Sequence, residues 1–169
     1  MTRIPTLLFV CATVFAQSKN PLTDAVMARY QPMRQNLIEA AEAMPEGSYG
    51  FRPVASESSF KERIGHLAMD NMRFCKFIMG PTESHQWDSI YIGSKKSDVV
   101  KALRDSFEFC DAALTYMNDA KALAEITVVG KRVHPVDSMI GLVARDNEYY
   151  GNLVAYLLSA SISPPAPIQ

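Results

Sequence analysis

The stretch RDNEYYGNLVAYLLSASISPP, Arg145–Pro165, decides how the rest of this chain is interpreted. Up to about Ser159 its apolar residues recur at three- and four-residue steps, which is typical of a helix with one buried face. Pro164 and Pro165 then provide a stop. We therefore predict a long last helix that begins near His134-Pro135. The residues that we expect to face inward are Met139, Leu142, Leu153 and Leu157.

Upstream, the first of three further helices begins at Asn20-Pro21, where asparagine is a good N-cap and proline suits the first turn. An apolar stripe at three- and four-residue steps carries this helix to about Met44. Pro32 falls inside it, so we expect a kink or a local distortion there.

The second and third helices have similar amphipathic patterns. Ser59 and Glu62 have the spacing of a capping box, which predicts the start of the second helix. Gly80-Pro81 ends that helix, and residues 81–96 are predicted to be a loop. The third helix is predicted to open at Ser97-Asp98.

Together these elements define the fold class. Four long amphipathic helices imply an all-α four-helix bundle, with a short irregular segment at 118–134 between the third and fourth of them. A chain of 169 residues with 48% apolar and 21% charged residues has the size and composition of one folded domain. The net charge of −1 provides no basic excess for a phosphate backbone, so we expect no nucleic-acid partner.

The N-terminus has the three parts of an export signal: a short basic start, an apolar run over 4–16, and small or modest residues before Gln17. The run is shorter than the roughly 20 residues that span a membrane. We predict a signal peptide over 1–16, cut after Ala16, and a periplasmic or secreted domain over 17–169 without a transmembrane segment. The alternatives are a buried N-terminal strand and an uncleaved anchor.

Export changes the interpretation of the cysteines. Cys11 would leave with the signal, so the mature chain keeps Cys75 and Cys110. Two thiols in an oxidising compartment are a candidate disulfide. The alternative is two separate buried thiols that behave as small apolar residues.

Four segments of the chain, in this order, resemble the DinB-like superfamily. They are Met44–Pro53 (MPE..Y.FRP), Ser59–Ala68 (SF….GH.A), Asn147–Tyr156 and the stop at Pro164-Pro165. The resemblance covers most of the mature chain and implies a four-helix bundle. The exported version of the family also carries FC on the second helix and CD on the third, which implies the same pairing of Cys75 with Cys110.

In metal-binding members of that family, one histidine on the second helix and two on the last helix hold a divalent ion. The resemblance places His66, Arg145 and Tyr149 at these positions. A guanidinium repels a cation, and tyrosine ligates only as phenolate, with a reference pKa of about 10. His85 and His134 lack ligand spacing to another donor. We therefore predict a degenerate metal site, no cofactor and no catalytic residues.

The leading function is a non-catalytic module that binds an unknown small molecule or protein. His66, Arg145 and Tyr149 would line its vestigial metal cleft, where Arg145 could hold a carboxylate or phosphate. The alternative for Arg145 is a local ion pair with Glu148 or Asp146. The alternative function is a divalent-metal-dependent hydrolase or thiol S-transferase that uses His66. Homodimerisation is an expectation from the family, since no sequence feature specifies an interface.

Overall fold

The computed structural model describes residues 18–80, 93–128 and 130–166, so the predicted signal peptide and His85 lie outside it. Long helices dominate these residues, which confirms the all-α prediction. The elements are α1 (Pro21–Ala43), a 3₁₀ turn (Glu46–Ser48), α2 (Phe60–Met79), α3 (Lys96–Tyr116), α4 (Asp119–Leu123), β1 (Ile126–Val128), β2 (Lys131–Val133) and α5 (Pro135–Ser159). None of the helices in the described ranges is long and apolar enough to cross a membrane.

The α2 and α3 helices run parallel to each other. The disulfide between Cys75 and Cys110 and the hydrogen bond from Asn71 to Ser106 both join residues that are 35 positions apart. A constant separation means that the two helices advance in the same direction. The bridge, with a Cα–Cα distance of 5.2 Å, confirms the predicted pairing of the two cysteines and fixes α2 against α3.

The α2 and α5 helices run antiparallel. Arg63 contacts Tyr156 across 93 positions, whereas Asp70 contacts Tyr149 across 79 positions. The separation in sequence decreases as α2 advances, which means that the two helices run in opposite directions. The α1 helix packs on α5 and α3 and completes the bundle. The largest fully buried side chains of this core are Tyr30, Phe60, Phe107, Leu37, Met44, Ile64, Leu67, Ile78, Leu103, Met139, Leu142 and Leu153.

The helix starts follow the sequence signals to different degrees. The capping box of Ser59 and Glu62 is present at α2, as predicted. Asn20 occupies the N-cap position of α1, but its side chain makes no capping bond there. Instead, the carboxylate of Asp119 accepts hydrogen bonds from the backbone nitrogens of Leu22 and Thr23, at 3.0 and 2.8 Å. A tertiary contact therefore replaces the predicted local cap.

Three smaller features complete the comparison with the sequence. The α1 helix is continuous through Pro32. The α3 helix begins at Lys96, one residue before the predicted Ser97. Between α3 and α5, the short α4 helix and the antiparallel β1–β2 hairpin form the segment that was predicted to be irregular.

The end of α5 is fixed by both its backbone and its tail. Ser161 adopts a φ of 60°, in the left-handed region where a helix cannot continue. The hydroxyl of Tyr150 then donates to the carbonyl of Pro165 at 2.9 Å, and Asn36 of α1 donates to the carbonyl of Ala166 at 3.2 Å. The Pro-Pro stop is thus held against α1 and α5.

The disulfide generates a stability prediction. Replacing Cys75 and Cys110 with alanine should lower the free energy of unfolding by about 3–4 kcal/mol, because the bridge closes a loop of 35 residues in the unfolded chain. Urea unfolding of the variant and of the wild type measures the difference. The wild type in reductant is the control, since it keeps both sulfur atoms. Two reactive thiols in the unfolded wild type without reductant would contradict the bridge.

Candidate ligand site between the second and last long helices

Asp70 of α2 is the centre of the polar contacts between α2 and α5. The hydroxyl of Tyr149 donates to its Oδ2 atom at 3.1 Å, and the Nε atom of Arg145 lies 3.5 Å from the same oxygen. Arg73, one turn further along α2, places Nη2 3.0 Å from Oδ1. Asp70 was not among the residues that the sequence singled out, yet it brings two of them together.

Helix geometry explains the convergence. Arg145 and Tyr149 are four residues apart, so both lie on one face of α5. Because α5 packs antiparallel to α2, that face meets the face of α2 that carries Asp70. The two α5 residues therefore approach one carboxylate from the same side.

His66 is not part of this contact. It lies one turn before Asp70 on α2, it is exposed, and it makes no hydrogen bond or ion pair within the described part of the chain. The structure therefore brings Arg145 and Tyr149 together at Asp70, and we call this contact between α2 and α5 the seam. His66 lies at its edge, where an ordinary boundary histidine would also lie.

Arg145 has two acidic partners. Its Nη1 atom lies 2.9 Å from Glu148, in addition to the contact of Nε with Asp70. The local ion pair considered in the sequence is thus present with Glu148. It does not form with Asp146, the other acid that was considered, so an incoming anion would compete with two carboxylates for this guanidinium.

Tyr149 is buried, and its hydroxyl donates a hydrogen bond to Asp70. Burial, the negative charge of Asp70 and this hydrogen bond raise the pKa of Tyr149 to about 12. The phenolate that a metal requires is therefore strongly disfavoured near neutral pH.

The donor set does not fit the metal of the family. Arg145 is a fixed cation, Tyr149 keeps its proton, and His66 has no second histidine beside it. Within residues 18–80, 93–128 and 130–166, no group of three or more His, Cys, Asp or Glu side chains is arranged to hold a metal ion.

Asp146 was considered in the sequence only as an ion-pair partner of Arg145, and its burial was not foreseen. Its side chain is fully buried, and neither carboxyl oxygen has a hydrogen-bond partner. Burial, together with the charge of Asp70, holds the pKa of Asp146 well above its usual range. One feature of the sequence could have revealed its burial: Asp146 continues the buried stripe of α5, whose residues follow one another at alternating steps of four and three. This stripe is Pro135, Met139, Leu142, Asp146, Tyr149, Leu153 and Tyr156.

A concave pocket lies elsewhere in the bundle. It has a volume of about 490 Å³ and a largely apolar wall, and it opens between the end of α2, the end of α3 and β1. Ile78, Met117 and Ile126 contribute to this wall. The ε-amino group of Lys121, its only charged lining residue among those described, is already bound to the carbonyl of Tyr116 at 3.0 Å. Its walls therefore offer little that would orient a polar ligand, and we place the candidate site at Asp70 and Asp146.

Asp146 generates a prediction about pH. Its carboxyl group holds its proton to a higher pH in the folded state than in the unfolded state, where the reference pKa is about 3.9. Its stabilising contribution is therefore complete below that value and is lost as the pH rises towards the folded pKa. Relative to Asp146→Asn, the wild type should lose up to about 1.4 kcal/mol of unfolding free energy per pH unit in that window.

Urea unfolding of both proteins between pH 5 and pH 8 measures this difference. Glu108→Gln, at an exposed position on α3, is the matched control and should follow the wild type. Equal pH dependence of the wild type and Asp146→Asn would show that Asp146 does not hold its proton.

The comparisons with known proteins agree with the resemblance seen in the sequence. No curated protein matches this chain. A DinB-like protein from Bacillus cereus ATCC 10987 has a similar structure, with a TM-score of 0.67 at 9% identity over 86% of this chain and 97% of its own. A DinB-like protein from Bacillus subtilis has a TM-score of 0.66 at 17% identity over 85% of this chain and 96% of its own. At these identities the similarity concerns the fold. The family model of the DinB superfamily matches residues 29–148, and the chain therefore belongs to the DinB superfamily.

Proposed function

We propose that this protein is an exported, non-catalytic member of the DinB superfamily that binds a small ligand or a partner protein at the seam between α2 and α5. One observation carries the proposal. At the two α5 positions where the family resemblance places histidines, Arg145 and Tyr149 are both engaged with Asp70, at 3.5 and 3.1 Å. Their functional groups are used to hold the helices together and are not presented to a metal ion.

The charges at the seam support the loss of metal chemistry. A divalent ion at this place would lie beside the guanidinium of Arg145, and its ligands would have to include a tyrosine with a pKa of about 12. His66 alone is a weak basis for a catalytic ion, because such sites use three protein ligands. Binding without catalysis is the function that these residues support best.

Export is supported by two features of the chain. Residues 1–16 have the composition of a signal peptide. The bridge between Cys75 and Cys110 is of the kind that persists in oxidising compartments and is rare in the cytosol.

Export predicts a new N-terminus. When the full-length chain is produced in a secreting bacterial host, the protein recovered from the periplasm or the medium should begin at Gln17, because the cut is expected after Ala16. Intact-mass measurement of that protein decides the matter. A mass that includes residues 1–16 in the exported fraction would contradict cleavage.

The loss of the metal site predicts that it can be restored. The double variant Arg145→His/Tyr149→His should bind about one zinc or nickel ion, because both new imidazoles would face α2 one helical turn from His66 and three imidazoles are a known catalytic ligand set. The wild type should bind less than a tenth of an equivalent. Elemental analysis after incubation with zinc, nickel or iron and removal of free metal measures both values.

His66→Ala provides the control in each background. Added to the double variant, it should abolish the restored binding. In the wild type it should change nothing. Stoichiometric metal in the wild type that disappears in His66→Ala would overturn the proposal, and would favour a metal-dependent hydrolase or thiol transferase that uses His66.

A further inference from the structure

The side of α5 that faces away from the bundle is nearly free of charge. Two large apolar side chains lie on it, Ile140 and Leu158, which are 56% and 59% exposed. The positions between them recur at three- and four-residue steps, so that they form one line along the helix. We call this line the outer stripe, and its exposed residues are Ile140, Ala144, Asn147, Gly151, Ala155 and Leu158.

The other faces of the bundle differ from the outer stripe. A helix on the surface of a soluble protein ordinarily turns charged and polar residues to the solvent. The α1 and α3 helices follow this rule, and their exposed charged residues include Asp24, Arg29, Glu42, Lys101, Arg104 and Glu108. On α5 the one exposed charge beside the stripe is Glu148, which is paired with Arg145 at 2.9 Å. Covering the stripe would therefore bury no unpaired charge.

Gly151, in the middle of the outer stripe, has no role inside the molecule that requires glycine. A Cβ atom at this position would meet no atom of the described residues within 4 Å, and the backbone φ is not positive. Glycine in the middle of a helix lowers its stability relative to alanine. Glycine does allow another backbone to approach closely. Gly151 therefore points to a second element that packs on the stripe.

The stripe is nearly the same when it is followed in either direction. Ile140 and Leu158 lie nine residues before and after position 149, and Asn147 and Gly151 lie two residues before and after it. A second α5 in antiparallel orientation would place the partner's Leu158 on Ile140 and the partner's Gly151 beside Asn147. The Asn147 amide donates to the carbonyl of Val143 at 2.7 Å, so this side chain lies along its own helix. A two-fold dimer requires such a self-complementary surface, whereas a different protein does not.

The size of the stripe indicates how strong such a contact is. From Ile140 to Leu158 it extends about 27 Å, because a helix rises about 1.5 Å per residue. A contact of this length and one helix in width belongs to the interfaces below about 1,200 Å² in total, which form weak and transient complexes. The expected association is reversible, with a dissociation constant in the micromolar range.

A membrane surface is the other partner that an apolar helix face could fit. Helices that lie on membranes carry lysine or arginine beside the apolar face, where these residues meet the lipid head groups. The only basic residue of α5 is Arg145, and its guanidinium is already paired with Asp70 and Glu148. The charges therefore favour a second copy of the chain over a membrane.

We propose that the outer stripe is the contact surface of a homodimer, in which two α5 helices pack antiparallel about a two-fold axis at position 149. The stripe contains none of the seam residues Asp70, Arg145 and Tyr149, so the inference is independent of the proposed function. Each copy would cover the apolar ends of the stripe on the other.

Sedimentation velocity of the oxidised protein between about 1 µM and 300 µM tests the association. The measured mass should rise from one chain towards two as the concentration increases. Ala144→Arg should raise the dissociation constant at least about tenfold, because it would bury an unpaired guanidinium in each half of the contact. Ala112→Arg, which makes the same change at an exposed position on α3, is the matched control and should leave the constant unchanged.

Cross-linking tests the antiparallel geometry. Ala144→Cys and Val154→Cys place thiols five residues before and after position 149, so a mixture of the two variants should form a disulfide-linked heterodimer on oxidation. Either variant alone should cross-link little, because its two thiols would lie about 15 Å apart along the helices.

Gly151→Ala separates the contact from the stability of the helix. At about 1 µM, where the chain is monomeric, it should raise the melting temperature by about 2–4 °C, because alanine is the better helix former and the added methyl group meets no neighbour. At high concentration the same variant should dimerise more weakly than the wild type, because the two backbones can no longer approach as closely.

Three results would overturn the inference. The first is a mass of one chain at every concentration up to 300 µM. The second is a dimer that Ala144→Arg leaves intact, or that cross-links equally well in each single-cysteine variant, because the contact would then lie elsewhere or have another orientation. The third is a chain that stays monomeric but sediments with phosphatidylcholine vesicles and loses this binding in Ala144→Arg, which would assign the stripe to a membrane.

Discussion

The antiparallel packing of α2 against α5 is the constraint on which the candidate site depends. It sets Asp70 opposite Tyr149 and Arg145, so that one carboxylate accepts a hydrogen bond from the phenol hydroxyl and pairs with the guanidinium of the facing helix. On the other side of α2, the disulfide to α3 holds the helix in place. The seam is therefore part of a rigid framework, and a ligand of the proposed kind would have to fit groups whose directions are already fixed.

The same contact supports the proposed loss of metal binding at this seam. Arg145 brings a permanent positive charge, and Tyr149 has a pKa of about 12, mainly because it is buried. Both groups contact the side chain of Asp70. Asp146 lies beside this ion-pair network without joining it and keeps unsatisfied acceptors in the interior. The seam thus combines a partly exposed cluster, in which opposite charges are paired, with one buried carboxyl group that has no hydrogen-bond partner in the structure.

Sequence reasoning found the features that depend on neighbouring residues. The capping box of Ser59 and Glu62 is local, and it forms as expected. It placed the start of α1 correctly at Asn20-Pro21 but not its cap, because the backbone of the first turn donates to Asp119, 97 positions along the chain from Leu22. It also offered Asp146, besides Glu148, as an ion-pair partner for Arg145, and the pair forms with Glu148. Adjacent residues on a helix point about 100° apart, so one side chain reaches the seam and the other enters the core. Asp70 belongs to no motif and could be found only from the helix that faces it.

The sequence by itself determined the four long helices, their amphipathic faces, the family and the absence of two histidines from α5. The helices and their faces are encoded in periodicity, and the family was identified by the resemblance of four ordered segments, so none of this needs knowledge of distant contacts. Only the tertiary structure decided that Arg145 and Tyr149 share Asp70, that His66 takes no part in this contact, and that the buried carboxyl of Asp146 has no hydrogen-bond partner in the structure. Hydrogen bonding and desolvation depend on which helices face each other, and that pairing is set by the packing of the whole bundle.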